Sequence, residues 1–104
     1  MARSVRCCAT SSADAPPACY DDLALAQTVF IAGSNTAWAH PVLYRRLEDA
    51  RRANPALKVI VVDPRRTETA EQADLHLQLQ PGTDVALFHG LLHVMLARVG
   101  DDLA

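Results

Sequence analysis

A chain of 104 residues, half of them hydrophobic and with a net charge of −2, is sized and composed for one packed domain, which excludes wholesale disorder. The small net charge gives no ground for a nucleic-acid or polybasic membrane partner. No apolar run approaches the roughly 18–20 residues that a membrane helix needs. Arg3 and Arg6 precede no apolar signal core and form no twin-arginine pair, so a cytoplasmic setting is expected. The three cysteines, Cys7, Cys8 and Cys19, are an odd number and point to thiols rather than a disulfide framework.

Residues 1–18 are rich in Ser, Ala, Cys, Thr and Pro, lack periodicity and close on Pro16-Pro17, which reads as an irregular N-terminal segment. Regular patterning occupies residues 19–104. Leu23-Ala24-Leu25-Ala26 fits one or two helical turns opened by Asp21 and Asp22. Thr28-Val29-Phe30-Ile31-Ala32 is a short apolar strand halted by Gly33. Pro41 suits a first helical position, and Leu43, Leu47 and Ala50 repeat at helical spacing up to Asn54-Pro55, predicting a helix near 41–53. A second apolar strand, near 58–62, ends at Asp63-Pro64.

Thr67 to Gln72 reads as a short turn or helix. Leu75 to Gln80 alternates strictly, predicting a strand near 75–79 with one face buried. Thr83 is placed to cap a helix near 84–98. Leu87, Phe88, Leu91, Leu92, Met95, Leu96 and Val99 form its apolar stripe, and Gly100 suits its end.

Two all-apolar strands joined through a helix imply a parallel sheet covered on both faces. The expected fold is α/β, a three-layer Rossmann-like arrangement of about three strands with covering helices, and marginally stable at this size. In such sheets ligands bind beyond the carboxyl ends of the strands. Three loops are thereby placed on one edge: Gly33 to His40, Asp63 to Thr67, and Pro81 to Asp84.

Gly33 lets a ligand approach the backbone, and Ser34, Asn35 and Thr36 add polar groups where free amides at a helix start favour phosphate. With one glycine, the loop fits a plain strand-to-helix turn equally well. Asp63 is placed either to accept ribose hydroxyls or merely to cap a turn before Pro64, with Arg65 and Arg66 beside it for phosphate or acidic groups. Asp84 reads as a helix cap or as an acceptor for the N1–H and N2–H₂ edge of guanine. Trp38 either packs on a ligand or covers the sheet edge. His89 and His93 have a metal-compatible spacing, but Gly90 lies between them without an evident third ligand, and a structural role is favoured.

Together these stretches resemble the molybdopterin oxidoreductases. Gly33-Ser34-Asn35-Thr36-Ala37-Trp38-Ala39-His40-Pro41 resembles that family's Gly-Ser-Asn…His-Pro loop. Val61-Val62-Asp63-Pro64-Arg65-Arg66-Thr67-Glu68-Thr69-Ala70 with Ala73-Asp74, and Pro81-Gly82-Thr83-Asp84-Val85-Ala86-Leu87, resemble its second and third signatures. Pro17 to Leu23 and the Ala37-Trp38 variant look like the assimilatory nitrate reductase branch. The match covers about residues 16–98.

The resemblance implies a cradle for one guanine-dinucleotide arm of a bis-molybdopterin guanine dinucleotide cofactor carrying molybdenum. Gly33, Ser34, Asn35, Thr36 and Trp38 would lie on the phosphate and pterin side. Val62, Asp63, Pro64 and Arg65 would hold the nucleoside, and Gly82, Thr83 and Asp84 the guanine. Arg6 to Ala13 echoes the family's Arg-x-Cys-Met segment loosely, which makes Cys8 the candidate molybdenum ligand.

A 4Fe-4S cluster is implied for the parent enzyme and not for this chain. The chain then reads as a fragment whose partners are the parent's remaining domains and the cofactor, inactive by itself. Alternatives are a free-standing nucleotide-binding module for NAD, FAD or CoA, and a structural half-domain without a ligand.

Overall fold

The fold is seen in a computed structural model, which describes residues 19–103. The elements in chain order are α1 (Asp22–Leu25), β1 (Thr28–Ala32), α2 (Thr36–Ala39), α3 (Pro41–Ala53), β2 (Lys58–Val62), α4 (Glu68–Glu71), β3 (Leu75–Leu77) and α5 (Asp84–Leu103). The strands form one parallel sheet in the order β1-β2-β3. The α/β expectation therefore holds, with the first two strands and α3 at their expected positions.

The register aligns Thr28 with Lys58 and Ala32 with Val62, then Val62 with Leu77. Residues paired in this way share a face, so Val29, Ile31, Val59 and Val61 point to one side of the sheet. On that side lies the core, built with Leu47 and Ala50 of α3, Leu57, and Ala70 of α4. Val61, wholly buried, is its centre. Right-handed crossovers that advance in one direction across a sheet deposit their helices on one face, which is where both α3 and α4 pack.

Helix α3 starts at Pro41, whose absent N–H costs nothing in the first turn, and ends where Asn54 Oδ1 takes the Ala56 amide at 3.1 Å. Residues 19–25 are fastened to its outer side by Tyr20 stacking on Arg46 at 5.5 Å and by Asp21 facing the same guanidinium at 3.5 Å.

The opposite face is thinly covered. Phe30 meets Phe88 of α5 edge-on with centroids 6.2 Å apart. Yet Phe30 remains 42% exposed, Leu75 48%, and Met95 of α5 64%.

Three expectations change here. The leucines of β3 were expected on a buried face. His76, paired with Val61, instead lies on the α3/α4 side, and Leu75 and Leu77 face the thin α5 layer. β3 stops at Leu77, because Gln78 turns its side-chain amide to the Pro64 carbonyl at 2.9 Å. Finally, α5 runs through Gly100 to Leu103. Gly100 keeps a negative φ, unlike Gly33 and Gly82, so it does not form the left-handed stop expected of it.

Candidate functional site

Beyond the last ladder residues the pairing continues by one bond on each side of β2. Gly33 N–H donates to the Val62 carbonyl at 2.8 Å, and Asp63 N–H donates to the Leu77 carbonyl at 3.3 Å. The three candidate loops thus leave from one edge of the sheet, the carboxyl edge, where parallel α/β folds hold ligands.

The first loop turns at Gly33, whose φ of +61° is left-handed; a Cβ there would meet nothing within 4 Å, so glycine is needed for its backbone freedom. Among the described residues the amides of Ser34, Asn35 and Thr36 have no protein acceptor. Successive unengaged amides beside a left-handed residue form a concavity suited to an anion. The Ser34 and Thr36 hydroxyls stand 3.3 Å apart.

The loop does not run straight into a long helix, as the sequence reading had it. One turn, α2, intervenes, its Trp38 and Ala39 amides bonding back to the Asn35 carbonyl before Pro41 opens α3. The free amides, rather than a long-helix dipole, are what this loop offers. Trp38 is 71% exposed and covers no sheet edge; its Nε1 donates to Glu68 Oε2 at 2.7 Å.

In the second loop Asp63 is buried, and its Oδ1 takes the Arg65 amide at 2.8 Å, an Asx turn. Its carbonyl is 2.9 Å from His76 Nε2. Val62 is also buried, with its carbonyl given to Gly33. Pro64, Arg65 and Arg66 are exposed, so this loop presents cationic side chains from a rigid base.

In the third loop Gly82 adopts a φ of +85°. Thr83 stands at the start of α5 as expected, its carbonyl accepting the Leu87 N–H at 3.1 Å, but its hydroxyl donates to the Gln80 carbonyl at 2.7 Å and closes the turn instead of accepting a helix amide. Asp84 is exposed in the first turn of the 20-residue α5, where the helix dipole favours a carboxylate.

Cys8 and Cys7 lie outside the described residues. Among the described residues Cys19 has no disulfide partner; it is half-buried, and its backbone N–H donates to Asp22 Oδ2 at 2.8 Å. His89 and His93 are exposed, and among the described residues no three His, Cys, Asp or Glu side chains gather as a metal site. A recess of about 300 Å³ lies beyond the far end of the first loop, between Tyr20 and the start of α3. Its Arg46 is already engaged by Tyr20 and Asp21, whereas the first strand-end loop carries unengaged amides. Burial, with Glu48 nearby, raises the Tyr44 phenol above its ordinary pKa and keeps it neutral behind the sheet.

Reading the sequence missed the groups that hold these loops. Thr69 is 1% exposed and bonds into the first loop, while His76 and Gln78 hold the carbonyls of the second. The one available signal was the Thr69-Ala70 pair between Glu68 and Glu71, in a helix too short to show periodicity.

A family model described as molybdopterin oxidoreductase matches residues 2–102. The chain is 51% identical over 92 residues, 86% of its length, to the nitrate reductase of Klebsiella oxytoca. It is 54% identical over 79 residues, 76% of its length, to that of Shewanella frigidimarina. An F420-dependent formate dehydrogenase 1 subunit alpha of Methanococcus maripaludis is 47% identical over 75 residues, 72% of the chain. The matched segments span 11%, 8% and 11% of those relatives.

Proposed function

The chain belongs to the molybdopterin oxidoreductase family, and from that premise we propose that it forms the cradle for one guanine-dinucleotide arm of the molybdenum cofactor in a nitrate reductase. The observation that carries this reading is the departure of three loops from one sheet edge, each with a different set of polar groups. The unengaged amides of Ser34, Asn35 and Thr36 suit the diphosphate. Arg65 suits the same charge or the ribose side, and Pro64 and the Asp63 turn shape the floor beneath the nucleoside. The exposed Asp84 carboxylate has the acceptor pair that guanine N1–H and N2–H₂ require, with Gly82 and Thr83 forming the turn that presents it.

These residues fit the nucleotide end of the group. The metal end is left to Cys8 and to parts of the enzyme outside this segment. When bound, the molybdenum centre supplies oxygen-atom transfer; this chain's own residues bind and orient. Nitrate is proposed as the substrate because the two highest identities given above, 54% and 51%, are to nitrate reductases.

Titration of the chain with guanosine diphosphate and adenosine diphosphate tests the reading. Guanosine diphosphate is expected to bind at least tenfold more tightly, with perturbations at Gly33–Thr36 and Gly82–Asp84. Equal affinity for the two would replace this reading with a general nucleotide module of the NAD, FAD or CoA kind.

A further inference from the structure

Thr69 lies inside α4 and is 1% exposed. Its hydroxyl crosses to the first loop, where it accepts the Ala37 N–H at 3.0 Å and donates to Asn35 Oδ1 at 2.9 Å. A hydroxyl has a single proton. The hydroxyl is buried and, among the described residues, has no other acceptor for that proton, so the proton goes to Asn35 and the oxygen end of the Asn35 amide faces Thr69. The Asn35 Nδ2, with two N–H donors, is then turned away from α4. Among the described residues it has no acceptor.

The three free backbone amides lie in the same four-residue turn that begins at Gly33. The side-chain amide therefore joins a set composed wholly of donors. Were it reversed, an oxygen would face any anion there.

We propose that Thr69 is a positioning residue, holding the Asn35 amide with its N–H groups outward to bind a phosphate oxygen of the ligand at the β1 loop. The inference rests on the reading of this loop as a phosphate site. The neighbouring Glu68–Trp38 bond, 2.7 Å and solvent-exposed, ties the same two short helices but does not orient Asn35. Buried and bonded twice, Thr69 couples the second sequence signature to the Asn35 side chain of the first.

The test uses the full chain with guanosine diphosphate and with guanosine, which share the base and differ in the phosphates. Thr69→Val is expected to weaken guanosine diphosphate binding about tenfold while guanosine binding stays unchanged, as loss of one hydrogen bond to a charged group predicts. Thr69→Ser, which keeps the hydroxyl, is expected to restore the affinity. A merely structural role would weaken both ligands together. Should Thr69→Val fail to fold, the unaltered chain still decides. The Asn35 side-chain amide resonances are expected to shift on adding guanosine diphosphate and not on adding guanosine, and immobile resonances overturn the proposal. If the unaltered chain discriminates the two ligands but Thr69→Val binds as it does, Thr69 has no such role and the phosphate reading stands. If the unaltered chain binds both equally, the phosphate reading fails and this inference with it.

Discussion

Asp74 and Val59 are bonded to each other twice: the Asp74 N–H donates to the Val59 carbonyl at 2.9 Å, and the Val59 N–H donates to Asp74 Oδ2 at 2.8 Å. The pair extends the β2–β3 ladder by one step ahead of β3, using a side chain where a backbone carbonyl would ordinarily serve. Arg51 Nη2 at 3.2 Å and Lys58 Nζ at 3.9 Å add positive charge to the carboxylate.

The Val59 amide, and secondarily the Arg51 and Lys58 charges, outweigh partial burial and hold the Asp74 carboxyl below its ordinary pKa. The native state therefore binds fewer protons here than the unfolded chain does. The stabilisation is complete above the unfolded value of about 3.9 and is lost as pH falls through the folded value. Denaturant melts of the chain should show stability flat above about pH 5 and declining below about pH 4. Asp74→Ala should remove much of that decline and cost about 0.5–1.5 kcal/mol at neutral pH, the usual contribution of one such bond. An acid limb unchanged in Asp74→Ala would assign it to other carboxylates.

Gly33→Ala isolates backbone strain, because the added methyl has open space around it and only the left-handed φ opposes it. The expected cost is about 1–2 kcal/mol. If the loop yields to relieve the strain, the Gly33–Val62 bond should lengthen and phosphate-dependent affinity should fall together with the melting temperature. A variant as stable as the parent would mean that the loop relaxes freely and that Gly33 does not set its shape.

Asp84→Ala addresses the base. Removal of a charge-assisted hydrogen-bond pair should cost on the order of 1.5–3 kcal/mol per bond if the ligand buries it. Introduced at the corresponding position of an intact family enzyme, it should reduce molybdenum and guanine content after purification. Unchanged content of both would leave Asp84 as a helix cap.

The chain alone should not reduce nitrate with reduced viologen dye. Its three cysteines, two of them adjacent, cannot supply the four thiolates that iron–sulfur clusters commonly use. On the proposed reading the segment would offer a cradle for one nucleotide end only. Measurable turnover by a homogeneous, metal-loaded preparation of the 104 residues would contradict the fragment reading.

The thinly covered α5 face should drive self-association. Leu92 and Met95 are 53% and 64% exposed within a continuous apolar stripe. Leu92→Glu with Met95→Lys should shift the chain toward monomer in sedimentation while leaving the sheet intact. Persistent oligomers of the same size would move the contact to the sheet edges.

The strands were legible because apolar runs bounded by Gly33 and by Asp63-Pro64 have few alternative structures, and α3 because Leu47 and Ala50 lie on one helical face. Helix α2 was not, since four residues show no period and Trp38 next to two alanines carries no preference that reads as a turn. The role of Thr69 was invisible for a different reason: its bonds reach 32 and 34 positions back along the chain, and only folding brings them together. Gly100 misled because glycine in a helix interior is unfavourable but tolerable, and its spacing from the stripe matched a stop signal. The loop positions themselves followed from topology, whereas the direction of each donor depends on hydrogen bonds that no local pattern encodes.

The central place of β2 also divides the molecule in time. Flanked by a partner strand on both sides and with Val61 fully buried, β2 should exchange its amide hydrogens only when the whole sheet opens. α5, exposed from Phe88 to Gly100 and so lacking most of the tertiary packing that stabilises helices, should open far more often. Two of the candidate loops begin in the slow region, but the third runs directly into the fast one. On the proposed reading the phosphate end would therefore be preorganised, while a base held at Gly82–Asp84 would also have to quiet the first turn of α5, so that part of its binding free energy is spent on ordering that turn. Ligand binding should accordingly slow exchange most at α5, far from where the tightest contacts are made.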